Sequence, residues 1–67
     1  MSVIEIKIKG MSPTVLNSLL YFVSINTLYY EYTLFKTKIK FKVSVNDNKS
    51  LDSLKDKIQD EYNKLYR

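Results

Sequence analysis

Between residues 3 and 9 the chain alternates strictly: Ile4, Ile6 and Ile8 fall on one side, Glu5, Lys7 and Lys9 on the other. That is the period of a half-buried strand. Gly10 ends the run, and Ser12 followed by Pro13 reads as an N-cap and a first helical position, where a missing N–H costs nothing. A helix is predicted over 13–24, with Val15, Leu16, Leu19, Leu20, Phe22 and Val23 apolar and only Asn17, Ser18, Tyr21 and Ser24 left for a polar side. This stripe is wider than one sheet contact requires. Either the helix is deeply buried, or part of the stripe meets a partner. Residues 25–28 read as a connection, with Asn26 and Thr27 as its turn signal.

Two more strands are predicted over 29–35 and 38–45. In the second, Ile39, Phe41, Val43 and Val45 alternate with Lys38, Lys40, Lys42 and Ser44; in the first, Tyr30, Tyr32 and Leu34 share the face that meets this apolar set. The hairpin closes over Lys36 and Thr37, neither suited to the positive φ of a tight two-residue turn, so a four-residue loop over 35–38 with the same register is equally consistent. Residues 46–49 break the pattern, and Ser50 is the expected cap of a last helix. There Leu51, Leu54, Ile58, Tyr62 and Leu65 form a narrow seam, while Asp52, Asp56 and Asp60 line an acidic stripe. The expected fold is α+β in the order β-α-β-β-α: one domain over 1–67, a three-stranded antiparallel sheet with two helices packed on one face. Such a sheet has two edges open to pairing with another chain.

Length sharpens the question of partners. A chain of 67 residues buries only about 60% of its unfolded surface, and an unstapled core of this size supplies about 3–5 kcal/mol at most. With no Cys and no His, disulfides and ordinary zinc sites are excluded, so burial against another chain is the remaining way to add stability. Residues 1–9 carry no apolar run like that of a signal peptide. The nearly uncharged stretch 15–35 is interrupted by Asn17, Ser18, Ser24, Asn26, Thr27 and Glu31 and falls short of the ~20 apolar residues of a membrane span. A cytoplasmic protein without membrane contact is expected.

The same composition argues against catalysis. Without His or Cys, and with a single Gly, the chain offers no tuned nucleophile or base and no phosphate-cradling loop. Asn46-Asp47-Asn48 lacks the Gly and closing Glu of a calcium loop. No enzyme activity and no cofactor are expected. The net charge of +4 lies entirely in residues 1–42, six lysines against two glutamates. Five of them, Lys7, Lys9, Lys38, Lys40 and Lys42, are expected on the sheet face opposite the helices, with Tyr29 and Phe35 among them. Such a face can neutralise nucleic-acid phosphates and stack bases; equally, it can be an open sheet face kept soluble by lysine. The candidate protein interface is Val15, Leu16, Leu19, Phe22 and Val23 of the helix with Tyr30 and Tyr32 of the second strand.

Residues 30–65 resemble a known family. Lys40-Phe41-Lys42-Val43-Ser44-Val45-Asn46-Asp47-Asn48-Lys49-Ser50-Leu51 is similar to its strand, x-Asp, three residues, and Leu opening a long helix; Ser18-Leu19-Leu20-Tyr21 is similar to the end of its first helix. The family is the small dimerising subunit of the KEOPS complex, the CTAG/LAGE-like family. Asp52 stands where that family usually has Arg, and no Asn falls between Leu51 and Tyr62, departures that fit a divergent archaeal paralogue. The resemblance implies a subunit with no activity of its own, in a complex that modifies tRNA to threonylcarbamoyladenosine. It implies edge-to-edge pairing with itself or with the main small KEOPS subunit, docking of the helices on the catalytic KEOPS subunit, and contact with tRNA. An independent nucleic-acid-binding module using the lysine face, or a viral or plasmid protein-interaction module, fits the residues without the family.

Overall fold

The computed structural model describes residues 2–66. Its elements are β1 (Ser2–Lys7), α1 (Pro13–Ile25), β2 (Tyr29–Leu34), β3 (Lys38–Ser44), a 3-10 turn (Asn48–Ser50) and α2 (Leu51–Leu65). The strands form one sheet in the order β1-β3-β2, with both pairings antiparallel. β1 and β2 therefore run in the same direction on either side of β3, and α1 carries the chain from one edge of the sheet to the other.

Local chemistry sets the ends of the elements. Ile8 still donates to the Thr37 carbonyl at 3.0 Å, but the next two amides, Lys9 and Gly10, turn to the Tyr62 hydroxyl at 2.9 and 3.0 Å. β1 thus stops two residues before the alternation does. The Ser12 side chain accepts from the Val15 amide at 3.2 Å, capping α1 as expected. At its other end Asn26 Nδ2 and Thr27 Oγ1 donate to the carbonyls of Phe22 and Val23, which carries the helix one residue past the predicted end. The hairpin is a loose one: Phe35 N–H donates to the Lys38 carbonyl at 2.9 Å, and no non-glycine residue described has positive φ.

The expected Ser50 cap is corrected. Asp47 accepts from the Lys49 amide at 2.9 Å, and Ser50 Oγ donates to the Asp47 carbonyl. Ser50 itself makes no side-chain cap bond to α2. Asp47 has already begun a 3-10 turn, and this turn brings Ser50 into helical geometry before α2 starts.

The core lies between the sheet and the two helices. Ile4, Ile6 and Ile8 of the β1 arm, Ile39, Phe41 and Val43 of β3, Leu19 and Val23 of α1, and Leu54, Ile58 and Tyr62 of α2 are buried together. Each fully buried aliphatic or aromatic side chain contributes roughly 1.5–3 kcal/mol relative to exposure. The register explains the set. Ile4 pairs with Phe41 and Ile6 with Ile39, so every second residue of β1 and β3 points at the helices. Among the described residues no helix is long and apolar enough to cross a membrane.

Two expected interface residues belong to this core. Leu19 and Val23 are 0% exposed, because an i, i+4 pair at the centre of the α1 stripe faces the sheet directly. Val15, Leu16, Phe22 and Tyr30 pack against the core while remaining partly accessible. Of the predicted set, only Tyr32 is freely exposed, at 43%.

Candidate functional site

Three surfaces follow from this fold: the outer sheet face, and the two sheet edges. The outer face holds the lysines. Register places Lys7 beside Lys38, Glu5 beside Lys40 and Val3 beside Lys42 on one side of β3; Thr33 lies beside Lys40 and Glu31 beside Lys42 on the other. Lys38, Lys40, Lys42 and Lys7 are thus brought together on one face. Lys9 lies past the end of β1.

Acidic and aromatic neighbours divide this cluster. The Glu5 carboxylate sits 3.5 Å from both Lys38 Nζ and Lys40 Nζ, since Glu5 is directly opposite Lys40 and diagonal to Lys38. The same two ammonium groups lie 5.2 and 5.8 Å from the centre of the Phe35 ring. Chiefly the charge of Lys38 holds the Glu5 carboxyl below its ordinary 4.5. On the β2 side Tyr29 donates its hydroxyl to Glu31 at 2.9 Å, and this bond pushes the Tyr29 phenol above its ordinary 10.0. The face is therefore less basic than five lysines imply. Glu5 offsets one of the two charges of Lys38 and Lys40, and Glu31 lies opposite Lys42, so Lys7, Lys38, Lys40 and Lys42 keep a net +2 against these two carboxylates.

A groove of about 1200 Å³ runs along the β1 edge, between that strand and α2, with Lys7, Lys9, Lys38 and Lys55 around it. Ile8 bonds to β3, so by antiparallel alternation the N–H and C=O groups of Val3, Glu5 and Lys7 face away from the sheet. The Gln59 side chain covers the last of these. Its Oε1 accepts from the Lys7 amide at 2.9 Å, and its Nε2 donates to the Lys7 carbonyl at 3.0 Å.

The β2 edge is different. Phe35 bonds to Lys38 across the hairpin, so alternation turns the backbone groups of Tyr30, Tyr32 and Leu34 outward. Among the described residues no other element bonds to them. On this strand Tyr32 and Leu34 are each 43% exposed; Leu28, just before it, is 64% exposed, and Tyr21 and Ile25 of α1 are 68% and 61% exposed. A half-buried sheet face should not leave large apolar side chains this accessible unless something else covers them.

Tyr21, Ile25, Leu28 and Leu34 were not among the predicted interface residues. Tyr21 reads as polar in the helical pattern, and Ile25 and Leu28 fall in a segment that reads as a connection. An available signal was the apolar content of that segment, since a solvent-exposed turn has no need of Ile and Leu. Gln59 carried no signal at all. Comparison with protein-family models, with curated proteins and with solved structures finds no match to this chain.

Proposed function

We propose that this chain is a non-catalytic accessory subunit that works by pairing its β2 edge with a second chain of the same fold, cytoplasmic and of the KEOPS small-subunit kind that its sequence resembles. The observation that carries the pairing is the β2 edge, where backbone groups that no described residue pairs and exposed Tyr32 and Leu34 occur together. The absence of His and Cys from the sequence supports a binding role. In the KEOPS reading the partner is a second copy or the main small subunit, the helices meet the catalytic subunit, and the outer-face lysines Lys7, Lys38, Lys40 and Lys42 supply the charges nearest to tRNA.

A second copy suits the edge well. Antiparallel pairing about a two-fold axis with both helix layers on the same side requires residues of equal parity to face each other. With Tyr32 on the axis, Tyr30 faces Leu34 of the second copy and Tyr29 faces its Phe35, both favourable cross-strand pairs. With Glu31 on the axis, two carboxylates would oppose each other, which is destabilising. The Tyr32-centred register forms a six-stranded sheet.

The test uses the absence of native cysteine. Across the axis a hydrogen-bonded pair has Cα atoms about 5.5 Å apart, within the range a disulfide spans. Tyr32→Cys is therefore expected to cross-link into a dimer under mild oxidation, while Leu34→Cys, facing Tyr30, reacts far more slowly. Sedimentation should give a wild-type dimer and a Tyr32→Lys monomer. A wild type that remains monomeric at micromolar concentration, alone and mixed with a KEOPS small subunit, refutes the proposal; equal cross-linking by the two cysteine variants refutes the register.

A further inference from the structure

We infer that Gln59 is an edge lock: by occupying both backbone groups of Lys7 it stops strand pairing at β1, so that assembly through β2 ends at two chains. The inference rests on the proposed β2 pairing and adds what limits it. A two-fold dimer joined at β2 still carries a β1 strand at each end of its sheet. Such ends are templates for further strands, and contacts that repeat without closing produce open-ended assemblies.

What distinguishes β1 from β2 is the treatment of the outward groups. β2 presents Tyr30, Tyr32 and Leu34, three residues at alternate positions with nothing across them among the described residues. β1 would present Val3, Glu5 and Lys7 in the same way, but the Gln59 amide makes two bonds to Lys7, 2.9 and 3.0 Å long. A primary amide offers one donor and one acceptor in the geometry of a neighbouring peptide. The side chain thus stands where the next strand's backbone would be. Gln59 Nε2 is also 3.3 Å from Asn63 Oδ1, one turn further along α2, a contact that holds the amide in this orientation.

The position of the helix makes the lock rigid. Ile58 and Tyr62 flank Gln59 on α2 and are both buried, and the Tyr62 hydroxyl binds the amides of Lys9 and Gly10, two and three residues after Lys7. A strand approaching β1 would meet α2 from Gln59 to Tyr62. Among the described residues only Val3 and Glu5 remain open, a two-residue template beside the charged Glu5, Lys38 and Lys40 group. That is too short to hold a strand.

Gln59→Met keeps the side-chain length and helix propensity and removes both bonds; Gln59→Ala is the second variant. Amide exchange in the wild type should be slower at Lys7 than at Glu5, although both amides face the open edge. In either variant Lys7 exchange should rise roughly 3- to 10-fold, the factor carried by one net hydrogen bond. Sedimentation velocity should then show tetramers and larger species where the wild type stops at dimers. Adding Tyr32→Pro, which removes the outward N–H of β2 and is tolerated on an edge strand, should return the variants to no more than two chains. A variant with exposed Lys7 and an unchanged mass distribution overturns the lock, whether that distribution is dimeric or monomeric. A monomeric wild type, by contrast, refutes the β2 pairing itself; if the variants then associate through β1, the lock stands without it.

Discussion

Tyr62→Phe removes one oxygen atom and should remove a large share of the stability of this fold. The Tyr62 ring is buried at 2% exposure, and its hydroxyl reaches out of the core to the turn after β1. There it accepts from the amides of Lys9 and Gly10 at 2.9 and 3.0 Å and donates to the Gly10 carbonyl. Phe preserves the ring, so the change isolates these bonds. Each contributes about 0.5–1.5 kcal/mol net, and a buried group left unpaired costs about 1–3 kcal/mol. The three partners are only part-buried, so water recovers some of this, and the expected loss is about 2 kcal/mol. Against the ~3–5 kcal/mol a core of this size supplies, that approaches half of the total. The midpoint of thermal unfolding should fall by roughly 8–16 °C, at the 4–8 °C per kcal/mol typical of a domain this small. Urea and thermal unfolding followed by circular dichroism measure it, at one fixed protein concentration because association stabilises. Exchange of the Lys9 and Gly10 amides should accelerate together. A loss under about 0.5 kcal/mol, with those amides unchanged, would refute the assignment of the hydroxyl as the anchor of this turn.

Two other outcomes are expected. A Cβ at Gly10 would lie 2.8 Å from the Tyr66 hydroxyl and 3.1 Å from Cε1, so Gly10→Ala should push aside a ring that now stacks on Tyr62 at 5.4 Å between centroids. Its cost, about 1 kcal/mol from the lost aromatic contact, should largely vanish in a Tyr66→Ala background, as a double-mutant cycle by urea unfolding would show. The Glu5 carboxyl should titrate below 4.5 by NMR because Lys38, with Lys40, favours its charged form. A depressed folded-state value means stability present above the unfolded-state value and lost as pH falls through the folded one. Glu5→Gln should therefore flatten the acid limb of stability below about pH 4.5, the unperturbed glutamate range, and salt near 1 M should move the wild-type titration back toward 4.5 by screening.

How much of this was legible in sequence follows from the range over which each feature is determined. Alternation in β1 and β3 identified the inward faces residue by residue, since a strand's side-chain period is two wherever the strand lies. Ser12 and Pro13 marked the start of α1 because a cap is satisfied within one helical turn. The outer-face lysines on β3 were equally plain. Their partial neutralisation was not: it needs β1 and β3 in register, with Glu5 opposite Lys40.

The division was least visible for the apolar stripe of α1. Its composition could not separate Leu19 and Val23, which the sheet covers completely, from Tyr21 and Ile25, which nothing in the described chain covers. The order β-α-β-β-α, the inward residues of β1 and β3 and the positions of the charges along the chain all follow from local period. That β3 lies in the middle, that β2 is the open edge, and that Gln59, 52 residues from Lys7 along the chain, closes the other are consequences of long-range packing. Pairing across that distance depends on where α2 packs, and the residues between the two carry no record of it.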